Sequence, residues 1–322
     1  MGTTAQKLTY LQETKNDIIS TLTDKLSGII TFDASKETFR NLCTKYVNAI
    51  GSTGIAYSAF AHCPGLTSVN ITDPITSIGD YAFGGCSNIT SVTVSDSVTS
   101  IGEQAFNACT SLTSVAIGSG VTGIGYQAFV GCRNLNSITV AVGNPVYHSY
   151  GNCIIETGNK VLIQGSNSGI IQDDGSVTFI GEEAFYGCIG LHSITVPDSV
   201  TGIRDYAFSG CSGLTEVTIG NGVTYIGYEA FGYCTGLSSV TIGNGVTNID
   251  EEAFKGINAD AFTVKATTPP SISSYGGLFG MAGSQWQMPP CQIYVPSASV
   301  NAYKNDGRWS HYAAYIVADP NE

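Results

Sequence analysis

Residues Val98 to Val121 read VTSIGEQAFNACTSLTSVAIGSGV, and the same sentence recurs along the chain with small edits. Its Ala-Phe pair returns with Phe at 60, 83, 106 and 129 and, after one longer gap, at 185, 208, 231 and 254. Within each group the step is constant, the one that separates Phe60 from Phe83. A fixed period of this length belongs to a solenoid, in which a coil cannot bury its own apolar face and is stabilised by stacking on its neighbours. The chain is therefore expected to form an elongated body rather than two ordinary globular domains.

Inside the quoted unit, apolar residues fall at Val98, Ile101, Ala105, Phe106, Cys109, Leu112, Val115 and Ile117. The L-x-x-V-x-I run predicts a short strand whose Val and Ile point inward, because side chains alternate between the faces of a strand. The run returns as Leu66/Val69/Ile71, Leu135/Ile138/Val140, Leu191/Ile194/Val196 and Leu237/Val240/Ile242, among others. Stacked copies predict a parallel sheet advancing about 4.8 Å per coil. The Ile-Gly-x-x-Ala-Phe segment turns the chain back along the other side, with Gly79, Gly102 and Gly125 expected to supply a permissive backbone there. The Phe rings are expected to stack as a ladder through the core.

Seven of the ten cysteines, at 63, 86, 109, 132, 188, 211 and 234, lie at one fixed place after the repeat Phe. Disulfide geometry does not forbid bonds between neighbouring copies, yet their side chains point the same way and an odd seven cannot all pair. They are expected to be buried thiols that pack as small apolar side chains with a weak donor. No His or carboxylate keeps register with them, so no metal is expected.

With 12% charged residues, the surface must lean on Ser, Thr, Asn and Gly. The formal net charge is -12, and beyond residue 50 the chain carries 7 basic against 20 acidic side chains. Such a body repels phosphate backbones and anionic headgroups, so no nucleic-acid or membrane-inserted partner is expected. The opening stretch, Met1 to Ile30, lacks the basic start and apolar core of a secretory signal.

The pattern L-x-x-V-x-I-x-x-x-V-T-x-I-G-x-x-A-F-x-G-C resembles the BspA-type, or Treponema pallidum-type, leucine-rich repeat common in bacterial surface proteins. The resemblance implies a leucine-rich-repeat solenoid of the α/β horseshoe class, mainly β with short helical turns, over residues 51–262. It also implies a non-enzymatic protein on the cell surface or outside the cell, used for adhesion or for binding a protein or glycan ligand. Residues 263–322 resemble the module that follows such repeats, Tyr294-Val-Pro-x-x-Ser-Val-x-Ala-Tyr303-Lys304, and are expected to form a C-terminal α+β cap over the last coil. Residues 1–50 predict an N-terminal helical hairpin: a stripe of Leu8, Leu11, Ile18, Leu22 and Leu26, a joint from Gly28 to Ser35, and a second stripe of Phe39, Leu42, Cys43, Tyr46, Val47 and Ile50. The wording around Leu8 to Lys15 is similar to a segment of phage and prophage structural proteins. A virion-associated protein is therefore one alternative, and an intracellular scaffold, suggested by the thiols and the absent signal, is another.

From Phe129 to Phe185 the step is more than twice the usual one, so one period carries a long insertion. Residues 142–169 predict a strand, a tight turn and a returning strand, an insertion that the resemblance also implies. Two readings stay open: a recognition loop presenting Tyr147 and Tyr150, or an extended coil of the solenoid.

No catalytic set assembles. Gly118-Ser-Gly-Val-Thr-Gly123 has the spacing of a dinucleotide-binding turn, but its sibling turns carry Ser and Asp and no helix is predicted after it. His62, His148, His192 and His311 share no register, and Gly165-Ser-Asn-Ser-Gly169 has Asn where a nucleophile elbow needs Ser. Glu182-Glu183 and Glu251-Glu252 are read as solvated surface. No cofactor is expected. The candidate binding face is the outward side of the strands, where Ser68, Ser91, Thr93, Ser114, Ser137, Thr139, Ser193, Thr195, Thr218, Ser239 and Thr241 make a flat hydroxyl-rich surface.

Overall fold

The computed structural model describes residues 30–32, 53–273, 277–282 and 285–322. Each coil contributes a short front strand, a turn, a shorter back strand and a third side carrying Ala-Phe. On the front, Val92 pairs with Val115 and Val115 with Ile138, so the parallel register advances by the sequence period. On the back, Ile78, Ile101 and Ile124 stack in the same way. On the third side the main chain bonds in the opposite sense: the Phe83 N–H donates forward to the Ala105 carbonyl and that of Phe106 to Ala128, at 2.7 and 2.8 Å. All three sides are thus main-chain ladders, which satisfies the peptide groups that a buried coil cannot leave unpaired.

The expected helical turns are absent from the described repeats. The described residues form one α-helix, Val300–Asn305, and two 3-10 turns, all in the C-terminal segment. The corners are made instead by two residues per coil in the left-handed region. The residue before each Ala-Phe has φ between 45° and 59°, as at Tyr81, Gln104, Glu183 and Glu252. The residue before each repeat Cys is the second, and Gly85, Gly131, Gly187 and Gly210 sit there at φ 70–74°. Gly102 and Gly125 do not need positive φ; a Cβ on either would collide with main-chain atoms of the preceding coil. Close approach, not torsional freedom, is what those glycines supply.

The Phe column is continuous within each half. Rings 60, 83, 106 and 129 stack with centroids 5.1–5.4 Å apart, and rings 185, 208, 231 and 254 at 4.8–5.2 Å, all within 12° of parallel. Coil rise leaves one ring thickness per layer, so the rings lie face to face and slightly offset. Beneath them the thiols form a second column. The S–H groups of Cys86, Cys109, Cys132, Cys211 and Cys234 donate to the Phe carbonyl of the coil below at 2.9–3.3 Å.

Between Phe129 and Phe185 the columns stop. The insertion forms three strands rather than two: Tyr147–Tyr150, Cys153–Glu156 and Val161–Gln164. The third runs parallel to Phe179–Ile180, so all three join the second back sheet, with Tyr147–Tyr150 at its edge. Its middle strand is a wall between two hydrophobic cores. Ile154 packs with residues 55–147, while Cys153 and Ile155 pack with the second half, which is why three consecutive residues are all buried. Alternation of side chains across a strand allows one strand to serve both cores. Gly165 and Gly169 then let the main chain pass against the Phe185 ring, which a Cβ on Gly165 would overlap. Asn167 ties the halves together, donating through Nδ2 to the Arg133 carbonyl at 2.9 Å and accepting the Gly190 N–H at 3.0 Å.

At the far end Val240 pairs with Phe262, a step one residue short, and Ile293–Val295 and Ile316–Ala318 extend the front sheet. Trp309, Tyr303 and Tyr312 are fully buried there. Trp309 Nε1 donates to the Pro270 carbonyl at 2.7 Å and the Tyr303 hydroxyl to that of Ala266 at 2.8 Å. At the near end Ile30–Phe32, expected in the joint of the helical hairpin, is a strand antiparallel to Leu66–Ile71. The two predicted helices lie outside the described residues.

Candidate binding face

The front strands place every candidate hydroxyl outward. Thr93, Ser137, Thr139, Ser193 and Thr195 are exposed, and Ser68, Ser91, Ser114, Thr218, Ser239 and Thr241 are half-buried by their neighbours in the column. Register alignment makes two rows: Ser193, Glu216, Ser239 and Ala261, and beside them Thr195, Thr218, Thr241, Thr263 and Tyr294. The face is not continuous. Ser137–Val140 ends one sheet and Ser193–Val196 begins another, because the three-stranded insertion stands between them.

The second half carries a groove of about 370 Å³ beside the Thr row, lined by Thr195, Thr218, Thr241, Asp173, Asp198 and Lys265. One Asp198 oxygen is committed to the scaffold, accepting the Asn221 N–H at 2.6 Å, and Asn221 in turn accepts from Asn244. Three threonines of the row, Thr195, Thr218 and Thr241, and one lysine, Lys265, line the groove together. This arrangement offers neutral donors and acceptors at one-coil spacing, with opposite charges at the rim.

The two insertion tyrosines part company. Tyr147 is buried and its hydroxyl accepts the Ile124 N–H at 3.1 Å, one period below, so it fills the place of the next back-strand residue. Tyr150 is exposed. Burial raises the Tyr147 hydroxyl above its ordinary range.

Two structural roles were hidden in the sequence. The Thr of V-T-x-I-G is not simply a soluble surface residue. Hydroxyls of Thr76, Thr99 and Thr122, and of Thr201, Thr224 and Thr247, donate to the carbonyl of the equivalent residue one coil below at 2.9–3.3 Å. Their recurrence at the repeat period was the available signal. The paired carboxylates are likewise engaged: Glu182 accepts from the Tyr126 hydroxyl at 2.8 Å, Glu183 from Gln127 at 2.6 Å, and Glu252 from Lys255 at 2.6 Å. Neighbouring thiols and burial push Cys86 and Cys109 far up, and burial above all takes Cys153 and Cys188 to about 12.

A repeating parallel ladder, Phe and Cys columns and a short-strand front sheet define a leucine-rich-repeat solenoid. The BspA type Leucine rich repeat region matches residues 35–161 and 162–275 in six copies, and the chain belongs to that family. It is similar to a leucine rich cell surface protein from Faecalibacterium prausnitzii, with 30% identity and a TM-score of 0.55 over 67% of this chain and 58% of that one. The chain thus spans less than two thirds of that relative. It also shares its fold with the pneumococcal vaccine antigen PcpA, at 15% identity and a TM-score of 0.54 over 83% of this chain and 77% of that one. No curated protein matches.

Proposed function

We propose that the protein is a non-enzymatic, surface-displayed binding module whose ligand lies along the front of its second half. The observation that carries this reading is the uninterrupted row Thr195, Thr218, Thr241, Thr263, Tyr294 beside the groove. Small hydroxyl side chains bond a partner with little loss of rotamer freedom, and the rigid ladder beneath them keeps the row preorganised. Tyr294 closes the row with an amphipathic ring of the kind enriched at interfaces. Display at the surface is supported by family membership and by the Faecalibacterium relative, described as a cell surface protein. Among the described residues no helix is long and apolar enough to cross a membrane. We read residues 263–322 as a lid whose buried Trp309 and Tyr303 shield the last coil, an edge that would otherwise pair with other chains.

The test is a screen of the purified chain against arrayed extracellular proteins and glycans, run beside Thr218→Arg and Thr241→Arg. A partner bound by the parent and lost by both variants supports the reading. Binding unaffected by both moves the ligand off this face, and no partner in either array refutes the adhesive role. Fractionation of the native cells distinguishes surface display from a scaffold inside the cell.

A further inference from the structure

The break in the Phe column leaves a cleft of about 270 Å³ at the corner between the back strands and the Ala-Phe side, away from the hydroxyl row. Its volume is below the size of a drug pocket but sufficient for one long side chain. The floor is apolar, formed by Phe129, Val161 and Ile163, and the rim holds Glu156, Glu182 and Glu183. Tyr126 and Gln127 each engage one carboxylate oxygen, of Glu182 and Glu183 respectively, and leave the second oxygen of each without a partner among the described residues. Arg204 also lines the cleft, but its guanidinium lies 5.4 Å from the Phe179 ring centre and makes no ion pair with the three carboxylates among the described residues.

The chain itself shows what such a site takes. Glu183 holds the same repeat position as Glu229 and Glu252, immediately before Ala-Phe. At those two residues the ammonium of Lys255 is seated 3.3 and 2.6 Å from the carboxylates and 5.5 Å from the Tyr233 ring centre. At the break the carboxylate is present, the neighbouring coils part around the insertion, and the cleft opens beside it over Phe129, Val161 and Ile163.

We infer that the cleft at the break is a binding site for a lysine side chain presented by a protein partner, its methylenes on the Phe129–Ile163 floor and its ammonium on Glu182 and Glu183. The stem gains by covering apolar surface while the head stays at the rim, as long basic side chains do. Burial holds the Glu183 carboxyl above its ordinary range, and an arriving ammonium would draw it back down. This site stands whether or not the hydroxyl row binds anything.

The test is titration of the full chain with acetyl-Gly-Lys-Gly-amide, followed by amide NMR shifts, with acetyl-Gly-Gln-Gly-amide as the uncharged control. Saturable shifts centred on Gln127, Gln164 and Glu183 are expected with the lysine peptide, weakening by roughly tenfold in Glu182→Gln, the loss of about one charge-assisted contact. Glu156→Lys places an ammonium of the chain's own in the cleft and should abolish the shifts, whereas Glu251→Gln, elsewhere on the surface, should leave them intact. Equal shifts with the glutamine peptide, no saturation, or binding that survives Glu156→Lys would overturn the site. A dispersed spectrum for each variant separates lost binding from lost folding, and Glu182→Gln decides if Glu156→Lys does not fold.

Discussion

The thiol of Cys211 donates to the main-chain carbonyl of Phe185 across 3.0 Å, linking one coil to the next from inside the core. Cys234 repeats the bond to Phe208 at 3.1 Å. Each thiol is therefore both a spacer of the right volume and a donor to a carbonyl that also serves its own turn. Cys211→Ala should destabilise the protein by about 1–2 kcal/mol, combining a small cavity with a lost weak bond, measured as a shift in urea midpoint.

The same column predicts failure in alkali. Burial raises the thiols of Cys188, in the column, and of Cys153, on the middle strand of the insertion, from the ordinary 9.0 to about 12. A raised folded value stabilises fully below the unfolded value, and the contribution disappears as pH climbs toward the folded one. Between pH 9 and about 12 stability should fall by about 1.4 kcal/mol per pH unit for each of Cys153 and Cys188. Urea titrations at stepped pH should show the slope flattened in Cys→Ala variants at Cys153 and Cys188.

Left-handed corners give an opposed pair of substitutions. Ala108 sits at φ 53° where the equivalent Gly210 sits at 74°. Gly210→Ala should cost about 1–2 kcal/mol, whereas Ala108→Gly should be neutral or stabilise by up to about 1 kcal/mol, relieved strain offsetting a freer unfolded chain. Thermal melting of the two variants side by side checks the sign.

Gly165 has no space for a side chain. A methyl group there would meet the Phe185 ring, so Gly165→Ala should cost more than about 3 kcal/mol unless the layers part. Hydrogen exchange should show the loss concentrated from residue 153 onward, with coils 60 to 129 retaining their protection. Uniform loss across both halves would contradict a divided core.

The columns were legible in the sequence because a period fixes them: Phe83, Phe106 and Phe129 had to stack once each period made one coil, and alternation alone turned Thr93 and Thr195 outward. The corners were not. Tyr81, Gln104 and Glu183 adopt positive φ without being glycine, imposed by the ladder on either side rather than by their own preference. The break in the front face was also invisible, since the path of residues 142–169 depends on which face of Cys153–Glu156 meets which core. Of the two readings left open for Tyr147, presented aromatic or part of an extended coil, its place one period after Ile124 favours the second: its hydroxyl accepts the Ile124 N–H at the end of the back ladder. The Thr hydroxyl bonds were missed because Thr at an exposed position is chemically ordinary until its neighbours in the stack are known.

The wall at Cys153–Glu156 gives the molecule two compartments that share a single partition. Coils can be gained or lost on either side by one period at a time, and the other compartment keeps its filling. Length, and with it the reach of whatever the surface displays, is therefore adjustable without redesigning the joint.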